Sequence, residues 1–234
     1  NNNVTYSGPV TIASDARFRV VNIATRMNFA NTVLGNNVTL WCTAGGAAAD
    51  TATTMSFLNT FSLGSGTLTK DGQGIVAFET ANNTCGSVII NGGTVEANGV
   101  LIGGPVTINA TGALGGVGTT AGSVSVLAGG SIAPGRSGIG TLTLSSTISL
   151  DPAAVTVMEI NRTNAQNADL LVAAAIPLNG TLTVVNLGPA LQIGDTFDLF
   201  NGTLSGNFSA TNLPALSQPN HVWDTSLLAS QGII

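Results

Sequence analysis

The chain has 234 residues and a formal net charge of −5, carried by 11 acidic and 6 basic residues. Only 7% of residues are charged, against about 25% in ordinary globular proteins, and so few bases cannot track a phosphate backbone, which excludes nucleic acid as a partner. No run of about 18 apolar residues is present to span a membrane, and a hydrophobic content of 44% in alternating order excludes a disordered chain.

Residues 1–63 form the least regular part. The segments VTYSGPVTI, FRVVNI, NVTLWC and MSFLNTFSL read as strands between asparagine, glycine and alanine turns. Phe, Met and Arg concentrate in this part, as befits a first coil whose outer face no further coil covers. The opening NNNVTYSG reads as a mature terminus left after signal removal, which predicts a secreted, extracellular protein. Trp41 alternates with Leu40 and Cys42 and so points away from the apolar face, where it either stacks on a ligand or packs laterally. Cys42 and Cys85 are the only cysteines. An even count in a secreted protein makes them a disulfide candidate, and the bridge would enclose 42 residues and contribute about 4 kcal/mol in the chain-entropy model. The alternative is a pair of small buried hydrophobes.

From residue 64 to 150 the chain becomes periodic. Gly86, Gly104, Gly122 and Gly140 recur every 18 residues, each followed by an aliphatic–polar alternation. Val88, Val106, Val124 and Leu142 fall in register, as do Ile90, Ile108, Val126 and Leu144. Each pair is two residues apart and leaves its strand on one face. A fixed repeat of this length is one structural unit stacked on copies of itself. At about 3.3 Å per residue, one repeat makes a circuit of roughly 60 Å, enough for three short strands and three corners. The fold class read from this is all-β: a single right-handed parallel β-helix over residues 1–234, with coils of about 18–22 residues and atypical end coils. A left-handed hexapeptide helix is the rival. Ile102, Ile108, Leu114, Val126, Ile132, Leu144 and Leu150 lie on a six-residue grid, which Glu96, Thr120 and Gly138 break.

Residues 151–234 make the last coils and a closing segment. AVTVMEI, DLLVAAA, GTLTVVNL and GDTFDLF read as longer strands. After Phe200 the chain turns irregular, with Pro214, Pro219, His221 and Trp223 ahead of an aliphatic run ending in Ile233 and Ile234. No helix is expected, because no segment carries a 3.6-residue apolar period. Nothing points to catalysis, a cofactor or a metal. None of the acids recurs at the 18-residue offset, so stacking does not gather them. Asp195 and Asp198 have an odd separation that sends them to opposite faces of a strand. His221 is the single histidine and no nucleophile-elbow or repeated calcium pattern accompanies it.

The stretch GTLTKDGQGIVAFETANNTCGSVIINGGTVEAN resembles the bacterial autotransporter-associated β-strand repeat. The family's G-L-x-K-x-G-x-G segment is matched at Gly66, Lys70, Gly72 and Gly74, its asparagine turn at Asn82 and Asn83, and its closing N-G-G-T at Gly92 and Gly93. Leu114–Gly118 and Ala133–Leu142 are similar to the family's terminal coils, and the segment from Gly194 onward looks like the close of large secreted proteins that carry these repeats. The resemblance covers residues 64–234 and implies a right-handed parallel β-helix displayed at or released from a bacterial cell surface, a scaffold without catalytic residues. The expected function is an extracellular structural one: a subunit of a surface fibre, sheath or layer that associates with itself, end to end, as a homo-oligomer or filament. Either SLLASQGII or NNNVTYSGPVTI would complete the next subunit's sheet. The alternative is a monomeric adhesin or passenger domain whose partner is a glycan or a cell surface. Trp41, Trp223, Ile233 and Ile234 are the candidate contacts.

Overall fold

The computed structural model describes residues 3–20, 26–42, 53–80, 82–218 and 220–234. Among these, the strands form three parallel sheets of ten, nine and seven strands, termed A, B and C, which the chain visits in rotation. Each strand inside a sheet pairs with the strand one coil before and one coil after, so the architecture is a parallel β-helix. Alternation decides which side chains go inside: inward positions are buried and their neighbours are not. The buried apolar side chains form one cluster reaching from Ile12 to Ile234. The coil's sides are unequal. Inward residues Val106, Leu114, Thr120 and Val124 fall in sheets C, A, B and C at steps of 8, 6 and 4 residues. An even hexapeptide prism does not match that, and Ile102, on its grid, is 43% exposed.

In sheet C the expected register holds for three coils. Val88 pairs with Val106 and Val106 with Val124, and Ile90, Ile108 and Val126 make the second column. The fourth copy departs from it. Val124 pairs with Ile148 and Val126 with Leu150, while Leu142 and Leu144 enter sheet B opposite Leu171 and Ala173. The cause is the crossing from sheet A to sheet B, which lengthens from six residues between Leu114 and Thr120 to twelve between Ile132 and Leu144, with the corner now Gly135–Gly140, and takes the coil from 18 residues to 24. Gly140 is thereby displaced from the glycine column. Gly86, Gly104 and Gly122 do stand over one another: a Cβ on Gly104 would lie 1.7 Å from the Gly86 carbonyl oxygen, and one on Gly122 2.0 Å from that of Gly104. A Cβ on Gly140 would instead meet Val117.

The coils lengthen at both ends beyond the expected span. Tyr6, Phe29 and Phe57 are in register although 23 and 28 residues apart. Their rings stack with Phe78 inside sheet A, with centroids 5.4, 4.9 and 5.2 Å apart, close to the strand spacing of about 4.8 Å. Ala97 ends this aromatic ladder. At the other end, sheet C stops at Ile148–Leu150, and Asn179 and Gly180 carry the chain straight from sheet B to sheet A. The last coils are therefore two-sided, built from the long strands Val155–Ile160, Leu170–Leu178 and Thr181–Asn186. GDTFDLF is not itself a strand. The strand starts where that segment ends and runs Phe200–Gly206. A one-turn helix, Leu228–Gln231, falls within the aliphatic run read as extended. Among the described residues no helix is long and apolar enough to cross a membrane. Of the strand expected at residues 18–23, Ala16–Val20 is seen and the rest lies outside the described residues, as do Asn1, Asn2, Asp50 and Pro219.

Candidate functional site

Three of the four candidate contact residues meet at the C-terminal end. The tail folds back antiparallel: Leu199 N–H donates to the Gly232 carbonyl at 2.9 Å, and Phe197 and Ile234 exchange bonds of 2.9 and 3.1 Å. Gly232 closes the short helix at φ 78°, and a Cβ there would lie 2.5 Å from the Phe200 carbonyl oxygen, so only glycine fits. Leu228 and Ile234 are buried by this closure. The Trp223 indole N–H donates to the Pro214 carbonyl at 2.9 Å, and its ring lies 6.3 Å from that of Phe197. Together they frame a cavity of about 440 Å³ lined chiefly by Leu191, Phe197, Trp223, Leu227, Ile233 and Ile234. Ile193 and Val222, 84% and 86% exposed, also belong to it. Asp195 and Asp224 lie on the wall, Asp195 held 2.9 Å from Arg162. The aliphatic tail is thus consumed by its own subunit and is no free strand for a neighbour.

Trp41 lies near the opposite end. It points outward as its alternation demands, but the Arg17 guanidinium sits 3.7 Å from the ring centroid and that of Arg19 5.5 Å away. Its ring face is already taken by a cation. Beside it the N-terminal end of the core is uncovered by any described residue. Tyr6 is stacked on Phe29 and Val4 is paired with Met27, yet these side chains are 47% and 44% exposed. A cavity of about 310 Å³ opens there, lined by Tyr6, Val10, Phe18, Met27 and Phe29 with Arg17 and Arg19. Among the described residues nothing pairs with the outer edges of Val4–Tyr6, Val10–Thr11 or Ala16–Val20. Arg17, Arg19 and Arg26 make no ion pair among the described residues, whereas Arg136 and Arg162 do.

The two cysteines are free and buried, so the candidate bridge is not formed. Cys42 ends a strand of sheet C and Cys85 a strand of sheet B nearly two coils on. That is roughly 8 Å along the axis, beyond the separation of about 7 Å that a disulfide can span. Burial pushes the thiols up to about 11 and about 12. Lys70, the lysine of the repeat motif, occupies an inward position between Leu40 and Ile90. Its ammonium donates to the carbonyls of Asp71, Gly72 and Gly92 at 2.9, 2.6 and 2.9 Å, tying two successive coils at one corner. Burial lowers its pKa to about 8, against the opposing pull of Cys42 and Asp71.

Sequence spacing missed one acidic grouping. Glu96, Glu159 and Asp169 line a small cleft with the lengthened corner at Gly135 and Ser137. Arg136, on that corner, reaches back to grip Glu79 at 2.6 Å through both guanidinium nitrogens and approaches Glu96 at 3.6 Å. Asp169 accepts from the backbone N–H of Gly140 at 2.8 Å and of Glu159 at 2.7 Å, and burial raises its pKa to about 7. Asp169 thus holds backbone, and Glu79 and Glu96 hold Arg136. Among the described residues no three His, Cys, Asp or Glu side chains are arranged to hold a metal ion. The signal for this grouping was the segment APGRSGIG, whose glycines bend the corner. No protein-family model matches the chain, and no curated protein matches it.

Proposed function

We propose that this chain is a structural β-helical building block, displayed outside the cell, that joins end to end with further copies of itself. The observation that carries the reading is the open N-terminal end. Among the described residues its core positions are apolar and exposed, and its three strand edges offer unpaired N–H and C=O groups. Natural sheets cover such edges or use them. A stiff shaft of stacked coils, low in charge and locked at its corners by glycine and by Lys70, suits a load-bearing element. The corners that resemble the autotransporter-associated repeat are the ones with these locks, which supports an exported scaffold. The other reading, a monomeric adhesin, leaned on Trp41, whose face Arg17 occupies.

Sedimentation of the purified protein across a concentration series, with electron microscopy of the products, tests the proposal. Association is expected, and Tyr6→Glu, which sets an acid in the open apolar end, should abolish it with little change in unfolding midpoint. A chain that stays monomeric at its highest soluble concentration sinks the reading.

A further inference from the structure

We infer that the joint is polar: the N-terminal end of one copy seats on the C-terminal end of the next. This rests on the end-to-end reading above and adds which ends meet. Charge is the first argument. Arg17, Arg19 and Arg26 stand at the N-terminal end with no ion-pair partner among the described residues, where Asp15 is the one described acid beside them. At the C-terminal end Asp198 and Asp224 are exposed and equally unpaired, while Arg162, the base of that region, is committed to Asp195. Head-to-head contact sets three arginines against the same three, and tail-to-tail contact sets acid against acid. Only head-to-tail contact opposes unlike charge.

Strand direction is the second argument. Val4–Tyr6 and Ala210–Asn212 are the two outermost strands of the same sheet, and every named ladder between them is parallel. Head-to-tail stacking continues sheet A in that sense, whereas head-to-head contact would need antiparallel pairing at the joint. Ala210–Asn212 is exposed throughout and free on its outer edge, while the tail and short helix cover the end of sheet B. Exposed Ile193 and Val222 supply apolar surface at this end to match exposed Val4 and Tyr6. Such a contact is heterologous, and one that does not close by rotation grows into a filament.

The test is a charge-reversal cross followed by sedimentation. One variant carries Arg19→Glu and Arg26→Glu, the other Asp198→Lys and Asp224→Lys, leaving the Arg17 contact with Trp41 in place. Each alone should associate about tenfold more weakly or worse, and an equimolar mixture should recover long assemblies, because every joint in an alternating chain again opposes unlike charge. Association of the unmodified protein should also weaken as salt rises. That second measurement needs no variant and stands if one fails to fold. Assemblies that stop at dimers, ignore the C-terminal reversal or strengthen in salt overturn the polar joint while leaving end-to-end association intact. A protein that never associates overturns both.

Discussion

The two ends of the shaft solve one physical problem differently. Each must deal with a cross-section of apolar side chains and a row of unpaired backbone groups. At the C-terminal end the chain returns on itself: Leu228 and Ile234 are buried, and Gly232–Ile234 satisfies Phe197–Leu199. At the N-terminal end the last ring of the aromatic ladder, Tyr6, is nearly half exposed, with no strand beyond it among the described residues. The same kinds of residue are therefore structural at one end and available at the other. Availability comes from what the rest of the chain leaves uncovered, and composition does not reveal it.

The contrast can be broken most directly by truncating one ring at each end. Phe197→Ala, at a fully buried position, should cost about 3–5 kcal/mol in urea unfolding. Tyr6→Ala should cost clearly less, about 1–2 kcal/mol, because nearly half of its surface is still exposed. Equal losses at both positions would mean the open end is closed in solution. Hydrogen exchange sharpens the same point residue by residue: amides of Val4–Tyr6 and Val10–Thr11 should exchange far faster than those of Thr181–Asn186, and concentrating the protein should slow the first group alone.

A smaller effect concerns pH and belongs to the closed half. The folded chain keeps a proton on Asp169 up to about pH 7, whereas a free carboxyl loses it near 3.8. Stability from this group is therefore present below pH 4 and lost as pH rises through 7, and partly buried Glu159 shifts in the same direction. The urea midpoint should fall between pH 5 and pH 8 more steeply in the unmodified chain than in Asp169→Asn. A slope unchanged by the substitution would remove Asp169 from that role. The smallest expected effect is none: because both cysteines are free, a thiol reductant should leave the unfolding midpoint where it was.

The β-helix was legible because its two signals are local and repeated: inward alternation along a strand and a glycine recurring at the same corner of successive coils. Val88, Val106 and Val124 needed nothing else to be placed. Leu142 was misplaced because TLTL alternates identically whichever sheet it enters. Only the added length of Gly135–Gly140 decides that, and a six-residue insertion looks like ordinary loop. Cysteine count said nothing about layer number, so Cys42 and Cys85 read as partners across a gap that no bridge spans. The outward direction of Trp41 was correct, but its cover comes from Arg17, one coil away and invisible to a strand-by-strand reading. Glu96, Glu159 and Asp169 come from separate coils and meet only at the cleft beside the lengthened corner, and the one-turn helix at Leu228 is too short to carry a period.

The glycine column has a consequence for how such a chain changes over generations. Each of Gly86, Gly104 and Gly122 lies against the carbonyl of the layer before it, so altering any single one collides with its neighbour. Loss or duplication of residues 86–103 as a block would slide Gly104 into the place of Gly86 with the adjoining columns still matched. Loss of one residue would turn the inward side chains of that strand outward. The heritable step in the length of this shaft is a whole coil.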